Sequence, residues 1–156
     1  MIAIDPGLTG AIAEIDTNIV GDTNVSVMDI PVMAKGKGGG RIKMQINAAA
    51  LSDIIEYMGR TVVIERFSSM PGQGVASMFS MGDTFGCIRG VCAALGKRIE
   101  FVTAREWKKH YKLPADKEVC RAKAIELFPD MPLGRKKDHN RAEALLMCKY
   151  AIDKGL

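Results

Sequence analysis

Apolar residues near the amino terminus fall in short continuous runs, and further on they recur at helical spacing. Ile2 to Asp5 is an apolar run closed by an acid. The Pro6-Gly7 and Thr9-Gly10 pairs then turn the chain into a second run from Ala11 to Ile15, which predicts a hairpin. Val25 to Ile30 predicts a third strand, in which Val25, Val27 and Asp29 alternate with Ser26, Met28 and Ile30, leaving the buried face open. Residues 34–43, AKGKGGGRIK, are so rich in glycine and lysine that they predict a flexible loop carrying Lys35, Lys37, Arg41 and Lys43. Asn47 can cap a helix whose apolar positions Leu51, Ile54, Ile55 and Met58 recur with helical period, ending at Gly59. TVVIE, Thr61 to Glu65, is β-branched and uninterrupted, the pattern of a strand covered on both faces, and it too ends in a carboxylate.

SSMPGQG predicts a loop, and Val75 to Leu95 a long helix bearing the small residues Ala76, Gly82, Gly86, Gly90, Ala93 and Ala94. Such a surface lets another helix approach closely, within the chain or across a dimer. Ile99 to Val102 predicts a short strand, Thr103 a cap for a helix through Trp107, and two closing helices run from Asp116 to Phe128 and from Asp138 to Lys154 around the turn-forming PDMPLGRKK. Strands first, then mixed helix and strand, implies an α/β or α+β layer fold around one central sheet, with no internal repeat.

The length of 156 residues, 47% of them apolar, suits one well-buried core, so a single domain over residues 1–156 is expected. A formal net charge of +4 adds a mild preference for polyanions and by itself identifies no partner. No stretch reaches the ~20 apolar residues of a membrane span, and the first residues read as a strand and not as a leader, so a soluble intracellular protein is expected. Cys87, Cys92, Cys120 and Cys148 show no CxxC spacing, which argues against a zinc or redox site and for small buried apolar residues in a reducing compartment. The methionines, Met70, Met78, Met81 and Met147 among them, read as adaptable core or interface filler.

The acids carry the candidate chemistry. Ligands of open α/β sheets collect beyond the carboxyl ends of strands, where Asp5 and Glu65 both sit; neighbouring parallel strands would bring them together. Either acid alone is ordinarily a cap or a solvated turn residue. Asp138 and Glu143, near the start of the last helix, supply two more. Hydrolysis of a phosphodiester explains four acids in one place: hard divalent ions prefer carboxylate oxygens, and a pair of them ~3.5–4 Å apart clamps the attacking and leaving oxygens.

Four segments in order, IAIDPGLTGAIA at 2–13, VVIERF at 62–67, ASMFSMGDTFGCIRG at 76–90 and KKDHNRAEALL at 136–146, resemble the RuvC family of Holliday junction resolvases, as does VTAREWKKHYKLPADKEVCRAKAIELFP. The resemblance runs nearly the full length. It implies an α/β ribonuclease H-like fold with a central mixed five-stranded sheet flanked by helices, a homodimer, and paired nicking of two strands at a four-way DNA junction with Mg2+, for which Mn2+ can substitute. It matches Asp5 to the first-strand aspartate, Glu65 to the glutamate ending the fourth strand, and Glu143 to the acid that precedes Ala-Leu in the closing helix. The family places its two closing acids three residues apart, whereas Asp138 and Glu143 are five apart, ~140° around an ideal helix. Asp138 can complete the set from the N-cap or the preceding turn; if it only caps the helix, His139 or Asn140, on the face of Glu143, takes the fourth place.

Lys108, Lys109, Lys112, Lys117, Arg121, Arg135, Lys136 and Lys137 are candidates for contacts to backbone phosphates, against the competing reading of a solvated face. Lys117 and Arg121, one helical turn apart, form the favoured joint contact. Phe67 is a candidate wedge at the open centre of a junction, although the family carries its aromatic slightly further along this loop, where this chain has Ser68. Trp107 reads as core. The absence of accessory domains fits a stand-alone version, of the kind a phage encodes, working in the cytoplasm of its host. Three other readings compete: a broader nuclease for forks and flaps, a module that binds branched DNA without cutting it, and an actin-like or sugar-kinase ATPase. The last needs a second phosphate-binding domain for which 156 residues leave no room.

Overall fold

A computed structural model describes residues 1–17, 23–38, 41–68 and 72–156. The chain runs β1 (Ile2–Asp5), β2 (Ala11–Asp16), β3 (Asn24–Asp29), β4 (Val32–Gly38), β5 (Arg41–Ile46), α1 (Ala48–Glu56), β6 (Thr61–Glu65), α2 (Val75–Ala94), β7 (Arg98–Val102), α3 (Ala104–His110) and α4 (Lys117–Leu127). A 3-10 turn (Lys136–Asp138) and α5 (His139–Lys154) complete it. Of the loop expected at 68–74, residues 69–71 lie outside the described residues.

The central sheet has five strands in the order β3-β2-β1-β6-β7. It is mixed: β1 pairs antiparallel with β2 and β2 with β3, while β1 and β6, and β6 and β7, run parallel. Strand alternation sorts the side chains onto two faces. Ile2, Ile4, Ile12, Val62 and Ile64 pack with Leu51 and Ile55 of α1 and Ile88 and Cys92 of α2. On the opposite face Ala3, Ala11, Ala13 and Val63 meet Trp107, Cys120, Ala124 and the buried stretch of α5 from Ala142 to Cys148. Ala3, Ala11 and Ala13 line the sheet side of that second face, so α5 packs close against β1 and β2. This closeness puts the start of α5 over the end of β1.

Local signals agree with these elements. The Asn47 side chain accepts from Ala50 N at the start of α1, and Thr103 with Glu106 closes a capping box on α3. Cys92, Cys120 and Cys148 are buried, Cys87 is half-buried, and all are free thiols. Trp107 is fully buried. Among the described residues no helix is long and apolar enough to cross a membrane.

One expectation is corrected. The glycine- and lysine-rich stretch forms a second, two-stranded sheet, β4 against β5, with Val32 opposite Ile46 and Ala34 opposite Met44, and a register shift between Ala34 and Gly36. A ladder of backbone hydrogen bonds does not require buried side chains, so composition hid it; the alternation of Ile42, Met44 and Ile46 with Lys43 and Gln45 was the available signal.

Candidate active site

The parallel register of β1 on β6 sets Ile4 opposite Ile64, so the next residues, Asp5 and Glu65, emerge side by side at the carboxyl ends of adjacent strands. Both share the strand parity of Ala3 and Val63 and therefore face α5. From above, α5 lowers Glu143, which is 7% exposed. Three acids from segments distant in sequence thus meet at one sheet rim.

The three acids act on one another electrostatically. Burial pushes the Asp5 carboxyl up to about 7, with the Glu143 charge adding to the effect and Lys117 and Lys108 opposing it. Burial likewise raises Glu65 to about 7, reinforced by Asp5 and Glu143. Lys108, from α3, donates to Glu143 Oε1 at 2.8 Å. Burial works against the Lys108 charge, yet the bond to Glu143 and the surrounding negative field hold its pKa above the ordinary value. The ammonium also lies 4.9 Å from the centre of the Trp107 ring.

The turn after β1 is built to let this happen. Gly10 donates to the Gly7 carbonyl at 3.0 Å. A Cβ on Gly10 would stand 2.0 Å from the Asp5 carbonyl oxygen and 2.9 Å from Gly7 N, so no side chain fits there. The start of α5 is tied to the same turn: Asn140 Nδ2 donates to the Thr9 carbonyl at 2.5 Å, and Arg141 makes a two-pronged pair with Asp29 at 2.6 and 2.7 Å. Sequence reasoning missed this clamp, since nothing in the pattern pairs Asp29 with a residue 112 positions away.

Asp138 goes elsewhere. It precedes α5 in the 3-10 turn, is 3% exposed, and makes no cap to α5. Its carboxylate receives the Arg135 backbone N–H at 2.8 Å and the Arg135 guanidinium at 2.8 Å. Those bonds hold its pKa below the usual carboxylate range, and the other charges it feels include Arg141, not Asp5, Glu65 or Glu143. The five-residue offset from Glu143 thus turns Asp138 onto Arg135 and away from the acid cluster. Of its neighbours, the His139 ring lies against the Lys136 carbonyl at 3.1 Å, while Asn140 is bound to the turn that follows Asp5.

The candidate cations divide in the same way. Lys117 is exposed but close enough to bear on both Asp5 and Glu65, and with Lys136, Lys137 and His139 it lines an open cleft. Lys109 and Lys112 are exposed. Arg121 is not a free partner for Lys117: its guanidinium bonds Glu118 at 2.9 Å and the Leu133 carbonyl at 2.8 Å, tying the 128–135 loop to α4. Arg135 is taken by Asp138. Phe67, just past Glu65, stands with its ring 6.2 Å from that of Phe85 in a small apolar recess completed by Met78 and Met81.

Asp5, Glu65 and Glu143 offer only hard oxygen donors, the set that suits Mg2+ or Mn2+. Burial and mutual repulsion make two of them resist ionisation, an effect a divalent cation would oppose. Among the described residues, no three His, Cys, Asp or Glu side chains already stand in ligating arrangement, and Glu143 is engaged by Lys108 instead.

Neither a protein-family model nor a curated protein matches the sequence. Among solved structures the chain is similar to Thermus thermophilus RuvC, at 14% identity and a TM-score of 0.57, with 99% of this chain and 97% of that one covered. It is also similar to T. thermophilus RuvC in complex with Holliday junction substrate, at 14% identity and a TM-score of 0.62, covering 99% and 96%. These likenesses establish the fold: an α/β, ribonuclease H-like architecture of the RuvC kind, with a mixed five-stranded sheet flanked by helices.

Proposed function

We propose that this chain is a divalent-metal-dependent endodeoxyribonuclease that resolves four-way DNA junctions by paired nicking, acting as a homodimer. The convergence of Asp5, Glu65 and Glu143 at the carboxyl rim of β1 and β6, on a RuvC-like fold, carries this reading. Asp5, Glu65 and Glu143 would hold the metal, with Asn140, on the face of Glu143 and beside the Asp5 turn, favoured over Asp138 as the fourth position. Bound there, Mg2+ or Mn2+ would supply a Lewis acid and lower the pKa of a water. Lys108, paired with Glu143 at the rim, would be the cation placed to meet a substrate phosphate if Glu143 turned to a metal. Lys117, at the mouth, adds a second positive charge for the DNA backbone. A four-way junction has near-twofold symmetry, so a C2 dimer would present two equal sites to it.

The test is cleavage of a four-way junction, a fork and a linear duplex in Mg2+. Preferential paired nicking of the junction is expected. Comparable cutting of fork and junction would favour the broader branched-DNA nuclease, and equal cutting of linear duplex would rule out both. Asp5→Asn should abolish cleavage and keep junction binding; continued cutting by that variant would overturn the assignment.

A further inference from the structure

One run of positive charge lies in a segment that supplies none of the clustered carboxylates. Residues 30–52 contain Lys35, Lys37, Arg41 and Lys43 and no acid. All four cations of this segment lie on the β4–β5 pair, Val32 to Ile46. Its root lies on the active-site rim: the register sets Asp5 opposite Ala11 and Ala11 opposite Asp29, so β3 ends in the same row as β1. Ile30 N then donates to the Gly10 carbonyl at 3.0 Å, and Asn47 N to the Pro31 carbonyl at 2.9 Å, which ties both legs of the hairpin beside the turn that follows Asp5.

Between this hairpin and the first turns of α2 runs a groove of about 830 Å3, lined by Leu8 of the Asp5 turn, by Lys43 and Met44, and by Val75 and Phe79. Lys35 is spent on Asp83 of α2, at 3.2 Å, and anchors the hairpin to the helix. Lys43 borders the groove, while Lys37 of β4 stands opposite Ile42 of β5, and Arg41 of β5 opposite Gly38. A paired, acid-free strand ribbon rooted at a phosphate-cutting centre suits a polyanion that continues past that centre.

We infer that the β4–β5 hairpin is a DNA-binding arm, which holds the duplex leading away from the cleavage point through contacts of Lys37, Arg41 and Lys43 to backbone phosphates. The inference rests on the nuclease reading above and adds to it a surface on a different element from Lys108 of α3 and Lys117 of α4.

The test is the salt dependence of four-way junction binding by the full chain, followed by fluorescence anisotropy, for the wild type and for Lys37→Ser, Arg41→Ser and Lys43→Ser combined. Each lost phosphate contact should lower the slope of log K against log salt by about 0.9. The triple variant should therefore bind at least ~10-fold more weakly at low salt with a slope shallower by about 2 to 3, and still cleave when saturated. Unchanged affinity and slope, in a variant with wild-type thermal stability, would overturn the arm. Should the triple variant fail to fold, Lys43→Ser decides alone: a slope shallower by about 1 supports the arm, and an unchanged slope sinks it. A wild type that neither binds nor cuts junctions would defeat the nuclease reading itself, whereas a cutting wild type with an indifferent variant would defeat only the arm.

Discussion

Lys108 Nζ stands 2.8 Å from Glu143 Oε1, with the two side chains 17% and 9% exposed, so an ammonium from α3 neutralises one of three acids crowded at the sheet rim. Removing one partner of a largely buried pair leaves the other charge uncompensated. Lys108→Met should accordingly lower stability by about 2–3 kcal/mol in metal-free buffer, read by chemical denaturation. Addition of Mg2+ or Mn2+ should restore part of that loss, because the cation replaces the missing positive charge. A variant as stable as the wild type without metal would show that Lys108 does not balance the cluster.

The raised carboxyls give stability a definite pH dependence. Asp5 and Glu65 titrate at about 7 in the folded chain and near 4 when unfolded. Between those limits the folded state binds more protons, so stability falls as pH rises from about 4 to 7, and the full penalty persists above 7. Metal-free protein should therefore be more stable at pH 5.5 than at pH 8. Asp5→Asn should flatten that difference, and Mg2+ should stabilise more at pH 8 than at pH 5.5, since protons and cations compete for the same oxygens. Asp29, Asp138 and Glu106 are held below the ordinary carboxylate range by Arg141, Arg135 and the Thr103 cap respectively. Their contribution is present above about 4 and fades only below that, outside this window. Stability that rises from pH 5.5 to 8 would contradict the burial of the two acids.

Asp138 and Asn140 separate cleanly by mutation. Asp138→Asn removes a charge-assisted bond to Arg135, and should cost about 1–2 kcal/mol of stability while the folded protein still cleaves. Asn140→Ala releases the start of α5 from the Thr9 carbonyl and should reduce cleavage by ~10–100-fold with junction binding retained. The reverse pattern, with cleavage lost only in Asp138→Asn, would return Asp138 to the metal site.

Gly10→Ala places a methyl 2.0 Å from the Asp5 carbonyl oxygen. The turn must move, at a cost of about 2–3 kcal/mol, and Asp5 moves with it. Thermal unfolding should shift down and cleavage should fall even at temperatures where the variant is fully folded. Wild-type activity in this variant would mean that the Asp5 position tolerates displacement of its own turn.

The strand runs, helix periods and caps were legible in the linear sequence because they depend on neighbours a few residues apart. Ile2 to Asp5, the β-branched TVVIE ending in Glu65, Asn47 and the Thr103 to Glu106 cap all declared themselves locally, and so did the acids at two strand ends. Composition misled at residues 34–43, where a backbone ladder forms in a stretch rich in glycine and lysine. The tertiary structure alone decided which acids meet. Parallel pairing of β1 with β6 put Asp5 beside Glu65, the packing of α5 on the alanine-lined face of β1 and β2 let Glu143 join them, and the Arg135 guanidinium held Asp138 apart. Such choices depend on contacts between segments up to about 140 residues apart, and local pattern carries no record of them.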